Sequence, residues 1–290
     1  MLPRRPGPSV RVRVVEFQPA STAHPRRTRE DRVVTEEPLE IRIESPGAAA
    51  RRVAVTMRTP GHDFELAVGF LLAEGVLTPD HLASVAYCTD VGLSPEEEFN
   101  VVTVGLNAPP LREPAPRYAG PTAGAAACGV CGKDSVGEAL GVHLRADPPH
   151  PDLRIPAGTL GALPERLRQG QRVFGRTGGL HAAGYFTAAG EPVVIREDVG
   201  RHNAVDKVVG ARVLGGAPTD LPVLVVSGRI GFELAQKAAA AGVGILAGVG
   251  APSSLALDLA ARAGLTVVGF LREERCVVYT APERITLSPT

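Results

Sequence analysis

Cysteine is scarce in this chain, with four residues among 290. Four are too few for a disulfide framework or a pair of zinc knuckles. Cys88 and Cys276 have no near neighbour and read as buried apolar residues. Lysine is scarcer still. Lys133, Lys207 and Lys237 are the only ones, so nearly all of the 31 basic residues are arginine. In an Ala-, Gly- and Pro-rich chain that is a compositional bias, and no arginine is special by type alone. The 31 acidic residues leave no net charge, which argues against nonspecific binding to nucleic acid. Long apolar runs are missing as well. The longest weakly polar run, Ala238 to Ala251, is too short to cross a bilayer and is broken by glycines. Paired arginines near the start are not followed by an apolar stretch, so no secretory or twin-arginine signal is read. These absences lead to the expectation of a reducing, cytoplasmic setting without membrane partners, in which neighbouring thiols stay reduced.

What is present is enough for one or two substantial cores, since 44% of the 290 residues are apolar. The sequence divides into four stretches. Residues 1–32 form an Arg/Pro-rich extension, with eight arginines against Glu16, Glu30 and Asp31, expected to be partly disordered or an edge strand. Residues 33–107 read as a small α+β domain. Glu37 to Ile43 and Arg52 to Met57 alternate as strands, as does Val101 to Leu106. Between them, Thr59 is a candidate N-cap and Pro60 a first helical residue. Phe64, Ala67, Val68, Leu71 and Leu72 then share one helical face, and Gly75 and Pro79 end the helix. Residues 108–134 are Pro-, Gly- and Ala-rich and read as a mobile linker that closes on a CxxC. Residues 135–290 alternate strand and helix, which argues an α/β layered domain with a largely parallel sheet. Its expected strands are 192–195, 223–226, 243–247, 265–271 and 276–280.

The CxxC is the most informative motif. Cys128 and Cys131 lie in Cys128-Gly129-Val130-Cys131-Gly132-Lys133. Two thiols at this spacing can form a disulfide, bind a soft metal or carry a sulfane sulfur. Zinc would need two further ligands. His143, His181 and His202 are available, but none has a diagnostic spacing. Gly175 to Gly184 is glycine-rich, like a phosphate-cradling turn, yet matches no nucleotide fingerprint. It also lacks the glutamate of a zinc deaminase. Arg196 to Lys207 packs charge at a strand-to-helix junction. There Asp198 and His202, and Arg201 and Asp206, are candidate pairs, with a structural salt-bridge network as the equal alternative. Ser227-Gly228-Arg229 places small residues and a guanidinium where an anion is held. Arg272 and Arg275 follow the next long strand. Several such turns at one sheet edge point to a multiply anionic, nucleotide-like ligand.

Together these residues resemble the formate dehydrogenase accessory sulfurtransferase family, FdhD. The matching stretches are Thr35 to Leu39, Met57 to Gly75, Cys128 to Gly132, Gly178 to Ala183, Arg196 to Lys207, Ser227 to Arg229 and Tyr279 to Arg284. The resemblance implies a second domain similar to cytidine deaminases and a homodimeric assembly. It implies that the protein accepts sulfane sulfur from a cysteine desulfurase as a persulfide on Cys128, with Cys131 as second thiol. It also implies transfer of that sulfur to the bis(guanine dinucleotide) molybdenum cofactor, before insertion into formate dehydrogenase. The family's cofactor segment falls on Phe270, Leu271, Arg272, Glu273, Glu274 and Arg275. The turns at Gly178, Gly179, His181, Ser227, Gly228 and Arg229 are further candidate walls, and no resident metal is expected. GDP should then mimic part of the cofactor. Asp198, Asp206 or backbone groups would accept from the guanine, and Arg272 or a backbone N–H would donate to it. The competing readings are a noncatalytic cofactor chaperone with a redox CxxC and a zinc deaminase relative.

Overall fold

The computed structural model describes residues 7–18, 26–90, 92–95, 97–114, 149–216 and 221–287. The CxxC and most of the expected linker lie outside them. The first strands, β1 (Ser9–Phe17) and β2 (Arg26–Val34), pair antiparallel as a two-stranded ribbon. The extension 1–32, expected to be partly disordered or an edge strand, is a strand pair over most of its described residues. Its valines and arginines in fact alternate, and opposite charges face each other across the strands, which favours pairing despite the polar composition.

Four strands follow: β3 (Glu37–Ser45), β4 (Ala48–Arg58), β5 (Leu82–Tyr87) and β6 (Val101–Leu106). They form one sheet in the order β4-β3-β6-β5, with β3 and β6 parallel. Leu39, Ile41 and Ile43 alternate along β3 and are fully buried, as one face of a half-buried strand requires. Helix α1 (Asp63–Ala73) covers that face. Thr59 is not its N-cap. His62, at φ 59°, occupies that position, and Thr59 is buried elsewhere in the contact with the second sheet.

After a two-stranded pair of β7 (Ile155–Pro156) and the later β14 (Ile285–Thr286) come α2 (Ala157–Gly170) and the single turn α3 (Phe174–Thr177). A six-stranded sheet follows. It comprises β8 (His181–Phe186), β9 (Pro192–Asp198), β10 (Val223–Val226), β11 (Ile245–Gly248), β12 (Thr266–Arg272) and β13 (Arg275–Val278), in the order β13-β12-β11-β10-β8-β9. Helices α4 (Arg201–Leu214), α5 (Phe232–Ala240) and α6 (Ser254–Arg262) connect them. The sheet is mixed rather than largely parallel. Only β10, β11 and β12 run parallel, whereas β8, β9 and β13 pair antiparallel. The reason is the hairpin β8–β9, which needs no crossover helix.

The six-stranded sheet is covered on both sides, so β10 is apolar at every residue. Val223 and Val225 face α2 through Leu160, Leu163 and Leu167. Leu224 and Val226 face α4, α5 and α6 in a core that continues to Leu39, Ile41 and Val68 of the first sheet. The two sheets are joined by the crossing of α1 and α4. A Cβ at Gly69 would lie 1.9 Å from Asp206 O, and one at Gly210 1.8 Å from Glu65 O. The crossing is therefore closed backbone to backbone, and only glycine fits there.

Candidate functional site

The β10, β11 and β12 strands run parallel, so their C-terminal ends meet at one edge of the sheet, the usual place for a ligand in an α/β layer. A cleft of about 1050 Å³ opens there. Its floor is Ser227 after β10, Val249 after β11, and Arg272 and Glu273 at the β12–β13 turn. His181 at the start of β8 and Gly178-Gly179 after α3 form a second side, and α2 with Phe174 forms the third. Six expected residues thus converge: Gly178, Gly179, His181, Ser227, Arg272 and Glu273.

Each is held by a specific local cause. Ser227 continues the strand ladder. Its N–H donates to Ala182 O and its Oγ accepts from Ala182 N, both at 2.9 Å, so that bond does not use the hydroxyl proton. Gly178 closes α3 in the left-handed region at φ 68°, donating to Phe174 O at 2.7 Å. Arg272 Nη1 donates to Val249 O and Leu271 O at 2.8 Å. The bond to Val249 ties the guanidinium across two strand ends. Gly161 of α2 lets the β12–β13 turn approach, because a Cβ there would meet Glu273 O at 2.4 Å. Burial, with the guanidinium of Arg201 nearby, holds the His181 imidazole below its ordinary pKa. It is therefore a neutral donor–acceptor near pH 7.

The other expected residues sit differently. Leu271 is fully buried in the core beside α2 and offers no side chain to a ligand. Gly228 packs near His181, where a Cβ built on it would lie 3.5 Å from Nδ1. Arg229 is exposed on the neighbouring turn, outside the cleft lining. Phe270, Glu274 and Arg275 also lie outside that lining, on the outer face of the hairpin. Phe270 is 41% exposed, takes φ 50°, and has the Arg275 guanidinium 5.9 Å from its ring centroid. Arg166, Arg168 and Gln171 line the cleft and had no signal in the sequence, because α2 itself was not read. Arg166, Arg168 and Arg272 share the lining with Glu165 and Glu273. The lining therefore leans positive while carrying acceptors.

The charged run 196–207 is structural. Asp198 accepts from Thr59 N at 3.1 Å, Gly200 N at 2.8 Å and Asn203 Nδ2 at 3.0 Å, and Lys207 Nζ lies 2.6 Å away. Asp206 is paired with Lys237 and His202 with Glu233. The expected Asp198–His202 and Arg201–Asp206 pairs are therefore not the ones formed. Both aspartates are buried and engaged, so neither is available to read a guanine. Glu197 caps α3 by accepting from Val173 N and Phe174 N at 2.9 and 2.7 Å, which fixes one cleft wall. Among the described residues, no three His, Cys, Asp or Glu side chains gather as a metal site. Among them too, no helix is long and apolar enough to cross a membrane.

Residues 34–286 match the model of the FdhD/NarQ family. A "sulfur carrier protein FdhD" from Streptomyces avermitilis is 49% identical over 262 residues, covering 90% of this chain and 91% of the relative. The protein of that name from Streptomyces coelicolor is 50% identical over 266 residues, with 90% and 91% covered. That from Mycobacterium tuberculosis is 46% identical over 264 residues, with 89% and 93% covered. A crystal structure from Desulfotalea psychrophila, assigned as a formate dehydrogenase accessory protein, superposes with a TM-score of 0.71. It shares 25% identity and covers 96% of this chain and 99% of its own. With that model matched over most of its length and relatives 46–50% identical over about 90% of each chain, the chain belongs to the FdhD/NarQ family.

Proposed function

We propose that this protein is a sulfurtransferase that loads a molybdenum cofactor for formate dehydrogenase. In this reading Cys128 thiolate attacks the outer sulfur of a cysteine desulfurase persulfide. A Cys128 persulfide forms and the donor thiolate leaves. Attack of Cys131 on the inner sulfur then releases sulfide towards the metal and leaves a Cys128–Cys131 disulfide, which a cellular dithiol returns to thiols. The cofactor is the substrate, in its bis(guanine dinucleotide) form, and the reaction belongs in the cytoplasm.

The observation that carries this reading is the convergence of Gly178, Gly179, His181, Ser227, Arg272 and Glu273 on one cleft. Its volume of about 1050 Å³ suits a dinucleotide-sized ligand. Ser227, Arg272 and backbone N–H groups supply donors for phosphate oxygens and guanine O6. With Asp198 and Asp206 engaged elsewhere, Glu165 or Glu273 takes the role of acceptor for guanine N1–H and its amino group. The names of the close relatives support the sulfur chemistry. The layered second sheet with its cleft is compatible with the deaminase-like architecture.

The deciding experiment is mass spectrometry of the protein after incubation with a cysteine desulfurase and cysteine. Gain of one sulfur atom on the Cys128 peptide, absent in Cys128→Ala, is expected. A chain that never gains sulfur but still binds the cofactor would be a chaperone with a redox CxxC. Calorimetry tests the cleft separately, with GDP expected to bind more tightly than ADP. Equal affinity, or no binding of either, removes the cleft assignment and leaves the thiol chemistry standing.

A further inference from the structure

The walls of the cleft differ in chemistry. Ser227, His181, Arg272 and Gly178-Gly179, on its floor and second side, offer donors suited to phosphate oxygens. The third wall, where α2 runs into α3, is of another kind. Gln171 at this junction is 6% exposed and lines the cleft. Its backbone is fully engaged. Its N–H donates to Arg168 O at 3.1 Å, and its carbonyl accepts from Gly175 N at 3.0 Å. Its carboxamide, among the described residues, has no hydrogen-bond partner. A buried amide without a partner costs free energy, and one left so in a cleft wall points to a ligand.

Beside Gln171, the Arg168 guanidinium lies over the Phe174 ring, 4.6 Å from its centroid. Both residues line the cleft. Phe174 is fixed at its backbone, where its N–H donates to Glu197 and its carbonyl accepts from Gly178 N, both at 2.7 Å. Arg168 is exposed and, among the described residues, pairs with no carboxylate, so its guanidinium is open to a second flat group. We infer that Gln171, Arg168 and Phe174 form the ring-recognition corner of the cleft, an inference that rests on the cofactor reading proposed above. A flat heterocycle stacks on the Arg168–Phe174 column, and the Gln171 carboxamide donates to its exocyclic oxygen. The ligand chemistry that fits is a 2-amino-4-oxopyrimidine edge. Its N–H and amino groups need acceptors, which Glu165 and Glu273 are. Its oxygen needs a donor, which an ionised carboxylate is not. Guanine and pterin rings share that edge, whereas adenine presents an amino group in place of the oxygen.

The chain has no tryptophan, so Phe174→Trp places a single fluorescent indole at the corner. GDP should quench its emission, and inorganic pyrophosphate, which has no ring, should not. Calorimetry on the full chain then reads Gln171→Met and Phe174→Leu. Each should weaken GDP about tenfold, as loss of one hydrogen bond or one stacking contact does. Phe174→Tyr keeps the ring and should bind as wild type does, which a general disturbance of the fold would not predict. Gln171→Met should also narrow the preference for GDP over ADP. 6-Hydroxymethylpterin, run beside GDP, tells the two rings apart: whichever ligand loses affinity in these variants is the one the corner holds. The inference is overturned by variants that bind both ring ligands as tightly as wild type, by a Phe174→Tyr no better than Phe174→Leu, or by an indole that neither ring ligand quenches. Those outcomes leave the cleft assignment standing. A wild type that binds neither ring ligand removes that assignment, and this corner with it.

Discussion

Replacing Lys237 by methionine isolates the cost of a buried charge at the helix junction. Lys237 Nζ donates to both carboxylate oxygens of Asp206, at 2.6 and 2.8 Å. The residues are 7% and 2% exposed, so water cannot take over for the missing partner. Methionine keeps the stem that packs towards Phe70, whose ring centroid lies 5.7 Å from Nζ. Removing one partner of a buried pair costs about 3–5 kcal/mol, because the other charge is left uncompensated. At about 2 °C per kcal/mol for a chain of this size, the melting temperature falls by about 6–10 °C. Adding Asp206→Asn removes the orphaned charge and should recover most of that loss. The loss also depends on pH. Burial pushes the Asp206 carboxyl above its ordinary value of 3.8, and Lys237 opposes the rise. Without Lys237 the folded-state pKa climbs further. The folded protein then keeps a proton that the unfolded chain gives up. That contribution is present below the unfolded value and disappears as pH rises through the folded one. The variant should therefore suffer most near pH 7 and least towards pH 4. Thermal melts by circular dichroism, on wild type, single and double variants across that range, decide it. A loss below about 1 kcal/mol, a loss independent of pH, or a double variant no better than the single would refute the reasoning.

Gly210→Ala should destabilise by about 1–3 kcal/mol in urea titration, since its methyl would meet Glu65 O at 1.8 Å. Gly158→Ala, with nothing within 4 Å, should be neutral or slightly stabilising, and serves as the control. Arg272→Ala should weaken GDP binding by about 1–3 kcal/mol in calorimetry, the range for a charge-assisted hydrogen bond. Burial alone would raise the Glu65 carboxyl, but hydrogen bonds from Arg196 and His62 outweigh it and bring it down to about 2. Its stabilisation is therefore present above the unfolded value of 4.5 and lost as pH falls towards about 2. Arg196→Gln should move acid unfolding, followed by circular dichroism, to higher pH. Cys128→Ala should fail to restore formate dehydrogenase activity in a strain lacking this protein, and Cys131→Ala should impair it less.

The elements that the sequence revealed are those whose signals are local. The run Val223 to Val226 is β10 in full, and the expected strand 265–271 is β12 to within one residue at each end. Helix α4 follows the charged junction as expected. The elements missed are those in which a long-range contact overrides the local signal. Strand β8 was hidden by glycine. Gly184 is central to it because a Cβ there would come within 3.1 Å of Phe186, Ile195 and Leu167. Helix α2 contains Pro164 and three glycines, which depress helix propensity. It persists because Leu160, Leu163 and Leu167 share one face and bury it on the sheet. With α2 unread, Arg166, Arg168 and Gln171 could not be placed at the cleft.

The charged run 196–207 shows why a site is harder to read than a strand. Its residues advertise chemistry, but their partners lie far off in sequence. Asp198 bonds Thr59, Arg196 bonds Glu65, Asp206 bonds Lys237 and His202 bonds Glu233. Each pairing closes on groups that are buried or partly buried, and together they tie β9 to α1 and to the loop before it, and α4 to α5. Asp198, Asp206 and Glu65 are thereby engaged by the scaffold rather than offered to a ligand, and the network rigidifies what surrounds it, although Arg201 Nε stays buried without a hydrogen-bond partner. The cleft beside it is built the other way. Ser227 retains its hydroxyl proton, His181 is held neutral, and Glu273 stands at a turn that only Gly161 allows to approach. The distinction between scaffold and site therefore rests on which polar groups are left incompletely paired. That property follows from tertiary contacts, and residue type alone does not carry it.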